Sequence, residues 1–147
     1  MNCDMPIPVD FEQLVEALGD AIVVADASGA ITLWNPAAQR LFGFTQAEAL
    51  GNSLDLIVPE RLRERHWDGF KKTMASGETR YAHDVLRVPA VHKDGRRLSI
   101  AFTVALLDGP QRKVTSIVAV IRDETQAFTE KRTLLKRLAD CEGNVAR

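Results

Sequence analysis

GDAIVVADASGAITLWNPAAQRLFGFTQAEALG, residues 19–51, changes its periodicity once, at its middle. Ala21 to Ala25 is a short apolar run suited to a strand, Asp26-Ala27-Ser28-Gly29 is a cluster of turn formers, and Ile31 to Trp34 is a second run. Two such runs about a tight turn predict a β-hairpin. At Asn35-Pro36 the pattern becomes helical. Asparagine suits the N-cap and proline the first helical position, so Ala37 to Phe42 is predicted as a short helix closed by Gly43. Thr45 with Glu48 three residues on is a capping-box pattern, and Gly51 closes the turn it opens.

Upstream, Phe11, Leu14, Val15 and Leu18 recur at helical spacing and predict a helix over 9–18, ended by Gly19. Downstream, Pro59 opens a longer helix to Ser76, stopped by Gly77. Residues 80–92 read as a strand in which Pro89 marks an edge or a bulge. After the Lys93-Asp94-Gly95 turn, Leu98, Ile100, Phe102, Val104 and Leu106 alternate with small or polar residues, the clearest period-2 signal in the chain. Asp108-Gly109-Pro110 turns it back. Val114 to Ile121 is apolar on both faces and is expected to be buried on both. From Glu124 a last helix carries Phe128, Leu134, Leu135 and Leu138 among many charges. This order predicts an α+β fold: one five-stranded antiparallel sheet with short helices on one face and flanking helices at both ends. The expected division is 1–18 as an N-terminal segment with a cap helix, 19–125 as the domain, and 126–147 as a C-terminal signalling helix.

Composition narrows the function. The 147 residues suit one domain, with 46% hydrophobic and 27% charged residues. A formal net charge of −1 gives no electrostatic footprint for nucleic acid and no polybasic membrane signal. Apolar runs fall short of the ~20 residues that span a bilayer, and Met1 to Asp10 lacks a signal-peptide pattern, so a cytoplasmic location is expected. Cys3 and Cys141 stand near opposite ends, the wrong spacing for zinc, and read as reduced surface thiols. There is no nucleophile elbow, no phosphate-binding glycine loop and no acid pair in a credible cleft, so no enzyme activity is expected.

The Trp34-Asn35 step, Leu41-Phe42-Gly43-Phe44, Glu48-Ala49-Leu50-Gly51, HKDGRR at 92–97 and VAVIRDET at 118–125 together resemble the PAS domain family, over about Leu14 to Thr125. The resemblance implies a sensory module that binds haem, flavin or a small metabolite, or binds nothing and dimerises. It also implies that an Asp-x-Thr element, here Asp123 and Thr125, couples the last strand to the output helix. Either side chain suits a helix cap.

The candidate ligand site lies on the 59–77 helix. At about 100° per residue, Leu62, His66, Gly69, Phe70 and Thr73 share one arc, with Met74 just beyond. Arg61, Glu64, Arg65, Asp68, Lys71 and Lys72 lie outside it. His66 therefore faces inward, Gly69 removes bulk beside it, and an imidazole nitrogen there suits haem iron. Arg63-Glu64-Arg65-His66 is similar to the stretch carried by oxygen-sensing haem PAS domains of the FixL type. That likeness implies haem b with His66 as the iron ligand, and Lys72 and Arg80 meeting its propionates. Leu86 stands where those sensors carry an arginine. Arg87 is one step along, turned to the other face by strand alternation unless a bulge at Pro89 restores it. Ile100, Phe102 and Val104 of the alternating strand form the opposite wall.

Two readings follow. In one, the chain senses a diatomic gas or redox state through haem and relays it through the last helix to a kinase or regulator in trans. In the other, it is a cofactor-free module for dimerisation or protein docking. His83 and His92 read as a solvated strand residue and a turn residue, and Trp34 and Trp67 as packing. The stripe on the last helix and the outer face of the final strand predict a C2 homodimer.

Overall fold

Asp26 closes the first hairpin: its carboxylate accepts from the backbone N–H groups of Ser28 (2.9 Å) and Ala30 (3.1 Å) and from the Ser28 hydroxyl. These bonds hold its pKa below the ordinary value, the Ser28 hydroxyl contributing most. The computed structural model describes residues 6–145, so Cys3 lies outside the described residues. Helix α1 (Phe11–Ala17) leads into β1 (Ala21–Asp26) and β2 (Ile31–Trp34). Helices α2 (Pro36–Phe42), α3 (Gln46–Ala49) and α4 (Arg63–Ser76) follow, then β3 (Leu86–Val91), β4 (Arg97–Asp108), β5 (Val114–Asp123) and α5 (Thr125–Val145). Single 3-10 turns lie at Leu54–Leu56, Glu60–Leu62, Arg80–Ala82 and Pro110–Arg112.

The strands form one antiparallel sheet in the order β2-β1-β5-β4-β3. The last strand thus enters the middle and joins the N-terminal hairpin to the C-terminal meander. Alternation gives the sheet two unlike faces. On the inner face Val23 pairs Trp34 and Ala119, and Ile121 pairs Phe102. This face meets Ala38, Phe42, Ala49 and Ile57 from the helical side in one core cluster. Phe42 and Ile31 are the largest fully buried side chains.

The expected α+β architecture is the observed one, with local differences. The predicted 59–76 helix is a 3-10 turn followed by α4, which starts at Arg63. Residues 80–85 are not strand. Thr79 accepts the N–H of Tyr81 and winds Arg80–Ala82 into a 3-10 turn, which leaves His83 exposed in a loop. Pro89 sits on edge strand β3, opposite Ser99 in an unshifted register, so there is no bulge. Strand β5 is also not buried on both faces. On its outer face Val118 is half-buried and Val120 is 37% exposed, because α1 lies against α2 rather than over this strand.

Candidate ligand site on helix α4

Helix α4 is fixed at its first turns. Arg63 donates through Nε to the Val58 carbonyl (3.2 Å) and through Nη2 to the Asp55 carbonyl (3.3 Å). One turn on, Trp67 Nε1 donates to Asp55 Oδ1 at 2.7 Å. The Trp67 ring lies so close over Gly29 that a Cβ there would meet it at 2.2 Å, and Gly29 has φ +88°. Only glycine satisfies both conditions. The main close backbone neighbour of α4 is the Glu60–Leu62 turn that precedes it.

Leu62, Arg63, His66, Trp67, Phe70, Thr73 and Met74 are shielded, whereas Glu64, Arg65, Asp68, Gly69, Lys71 and Lys72 are exposed. His66 and Phe70 thus lie on the covered face, as their spacing predicts. The covered arc is rotated toward Trp67, however, and Gly69 falls outside it with nothing within 4 Å of a Cβ built there. The gap expected beside His66 is therefore not made by Gly69. The His66 ring packs against Trp67 (centroids 4.9 Å apart, edge-on) and Phe70 (6.2 Å). Its Nδ1 is buried and has no hydrogen-bond partner among the described residues. Burial pushes its pKa below the ordinary 6.5, with the Asp55 carboxylate pulling the other way. The ring is neutral near pH 7 and keeps a lone pair.

The inner sheet face supplies the facing wall. Leu86 pairs Phe102, Val88 pairs Ile100 and Val104 pairs Ala119, all inward. Arg87 pairs Ala101 on the outer face, where its Nε meets Glu124 Oε2 at 3.1 Å. Arg87 does not reach the site. Lys72 is exposed on α4. Arg80 lines an open cleft of about 570 Å³ with Gly77, Glu78, Thr79, Ala82 and the inward Leu106. There its Nη2 donates to the Tyr81 hydroxyl at 2.6 Å. No cluster of three His, Cys, Asp or Glu occurs among the described residues.

At the exit, Asp123 Oδ1 accepts from the N–H of Thr125 (2.9 Å) and from its hydroxyl. Thr125 Oγ1 accepts from the N–H of Ser99 (3.0 Å), and the N–H of Glu124 donates to the Ser99 carbonyl (2.8 Å). The first turn of α5 is thereby tied to β4, and through Arg87 to β3. Sequence reading found Asp123 and Thr125 but missed Ser99, Asp55 and the Arg87–Glu124 pair, because each bridges segments far apart in the chain.

A family model described as the PAS fold matches residues 10–123. The chain belongs to the PAS family. Among curated relatives, an uncharacterized protein of Azorhizobium caulinodans is 34% identical over 121 residues, 82% of this chain and 16% of that one. Sensor protein FixL of Bradyrhizobium diazoefficiens is 40% identical over 53 residues, covering 36% of this PAS chain and 10% of its own. Oxygen sensor protein DosP of Escherichia coli is 23% identical over 109 residues, covering 74% and 13%. This PAS chain therefore spans a sixth or less of the length of these relatives. The crystal structure of the PAS domain of a Colwellia psychrerythraea protein superposes with a TM-score of 0.65 at 21% identity, covering 79% of this chain and 95% of that one, and shares the fold. No helix among the described residues is long and apolar enough to cross a membrane.

Proposed function

We propose that this PAS domain holds haem b through His66, responds there to a diatomic gas or a redox change, and passes the signal through α5 to a kinase or regulator in trans. The observation that carries this is the His66 nitrogen, shielded, neutral and unpartnered on the covered face of α4. A buried polar atom without a partner costs free energy, so a group that engages the ring has a place there. A lone imidazole, with no second or third ligand nearby among the described residues, suits an iron whose other in-plane ligands come from a macrocycle. Leu62, Phe70 and Met74 on α4, with Leu86, Ile100, Phe102 and Val104 on the sheet, would enclose the ring, and Arg80 in its cleft is the cation available to a propionate. Haem supplies the gas-binding and redox chemistry. The chain seats the imidazole against Trp67 and Phe70 and, through Asp123, Thr125 and Ser99, ties the wall strand β4 to the output helix. The likeness to an oxygen sensor supports the reading. Its test is the absorption spectrum of protein purified with haem present. A Soret band that His66→Ala abolishes is expected. No band, or one unchanged in the variant, overturns it.

A second reading, a cofactor-free dimerisation or docking module, is favoured by the apolar surface of the single chain. Phe11 (74% exposed), Val120, Leu135 and Leu138 are all exposed. A dimer with no haem-dependent spectrum would leave this reading in place of the first.

A further inference from the structure

We propose that α5 pairs antiparallel with α5 of a second copy of this chain, a contact that does not depend on what His66 holds. The first turn of α5 is tied to β4 through Ser99. Beyond it, the side-chain hydrogen bonds among the described residues run within the helix: Gln126 to Glu130 (3.1 Å), Thr129 to the Thr125 carbonyl (2.9 Å) and Thr133 to the Thr129 carbonyl (3.0 Å). Leu134, Leu135 and Leu138 are 63%, 57% and 57% exposed. A helix with such a stripe gains its stability from whatever covers it. Lys131, Leu134, Leu138 and Cys141 step by three, four and three, which keeps them on one seam. Phe128, Leu135 and Glu142 line one flank of that seam.

The charges choose the occupant and its direction. Lys131, Arg132, Lys136 and Arg137 come first, whereas Asp140 and Glu142 stand toward the end of the helix. None of these six makes an ion pair among the described residues. Glu130, held by Gln126, is the one acid of the first half. A parallel pair would set Lys131 against Lys131 in the seam, two like charges drawn out of water without a partner. Turned antiparallel, Leu134 meets Leu138 of the second copy, Leu138 meets Leu134, and Lys131 lies beside Glu142 at both ends. One two-fold axis thus lays the basic half over the acidic half twice, with the helix dipoles opposed. The complement that the stripe needs, apolar at the centre with an acid facing Lys131, is the stripe itself reversed. A membrane surface fits less well, because Lys131 and Glu142 stand among the apolar positions rather than on the polar face.

The test is positional and uses the full chain with Cys3→Ser, which leaves the exposed Cys141 as its one thiol. Mild oxidation should link few copies, because the antiparallel pair holds the two Cys141 about ten residues, roughly 15 Å, apart. Adding Lys131→Cys sets a second sulfur opposite Cys141 of the other copy, and the linked dimer should form at least about tenfold faster on a non-reducing gel. Lys131→Cys combined with Cys141→Ser should fall back to the slow rate. Fast linkage through Cys141 alone shows a parallel pair, and no fast linkage in any variant leaves the stripe to another protein or a membrane; either result overturns the proposal. Charge exchange is read by sedimentation in a Val120→Glu background, so that the outer face of the sheet does not contribute. Lys131→Glu and Glu142→Lys should each weaken the dimer roughly tenfold, since each turns two attractions into two repulsions. Together they should restore it to within about threefold of the parent. A double variant that stays as weak as the singles overturns the antiparallel pairing. His66→Ala should change neither result, which separates this contact from haem ligation.

Discussion

The Asn35 side chain, 3% exposed, makes four hydrogen bonds. Its Oδ1 accepts from the N–H groups of Ile22 (2.9 Å) and Ala38 (3.0 Å), and its Nδ2 donates to the carbonyls of Val15 (2.9 Å) and Asp20 (3.1 Å). The cap on α2 is one of the four; the other three tie α1, the Asp20 turn and β1 together. Asn35→Ala leaves groups unpaired on four segments and is expected to cost about 2–4 kcal/mol, measured by urea unfolding. Asn35→Asp keeps the acceptor but sets a carboxylate against two carbonyls, so it should not rescue stability. His66 gives a second residue-scale expectation, with a definite sign. Its folded pKa lies below the unfolded value of 6.5 because burial disfavours the charged ring. Its contribution is complete above that value. As pH falls through 6.5 the unfolded chain takes up a proton that the folded chain refuses, and stability is lost. His66→Leu should therefore lose less stability than wild type between about pH 7.5 and 5.5 in apoprotein melts. An equal loss in both proteins would place the acid sensitivity elsewhere.

Among the elements, α4 depends most on a contact remote in sequence. The Trp67 ring rests on Gly29, and its indole is held by Asp55. Gly29→Ala adds a methyl into that ring and strains a left-handed backbone position. It should cost at least about 2 kcal/mol and shift the tryptophan fluorescence as Trp67 leaves Asp55. An unshifted spectrum with unchanged stability would mean that α4 does not need this seat. The same contact explains what the sequence could disclose. Elements whose signals are local were legible: the hairpin about Asp26, the Asn35 and Thr45 caps, the left-handed Gly43 and Gly77 stops, and the alternation from Leu98 to Leu106. So was the inward phase of His66, since it follows from 3.6 residues per turn. The outward Gly69 was not, because the rotation of α4 is set by Trp67 reaching back to the hairpin, which no helical wheel contains. Residues 80–85 were misread as strand because their turn is wound by a single side-chain bond from Thr79.

For the molecule as a whole, the unresolved matter is the outer face of the sheet. Strand β5 is central, yet Val120 is 37% exposed, and Leu107 on the neighbouring β4 is 48% exposed on the same face. Val24 and Val118 are half-buried beside them. Phe11 and Leu14 on α1 are also uncovered, and α1 packs on α2 rather than on this face. A central strand exposed in the single chain is an unusual place to leave valines, since a contiguous apolar patch in water favours association. A second copy brought over the same face by a two-fold axis would cover both patches with one self-complementary contact. It would also set the two α5 helices, each tied to β4 through Thr125 and Ser99, in fixed relation to one another. The expected outcome is a dimer by sedimentation at tens of micromolar. Val120→Glu should weaken it at least about tenfold, because a carboxylate buried without a partner on that face loses its solvation. The substitution lies on the side of the sheet away from His66, so it should leave any His66-dependent spectrum intact. A wild-type monomer at that concentration, or a dimer indifferent to the charge, would mean that this face is not the contact and that the two output helices are not coupled through it.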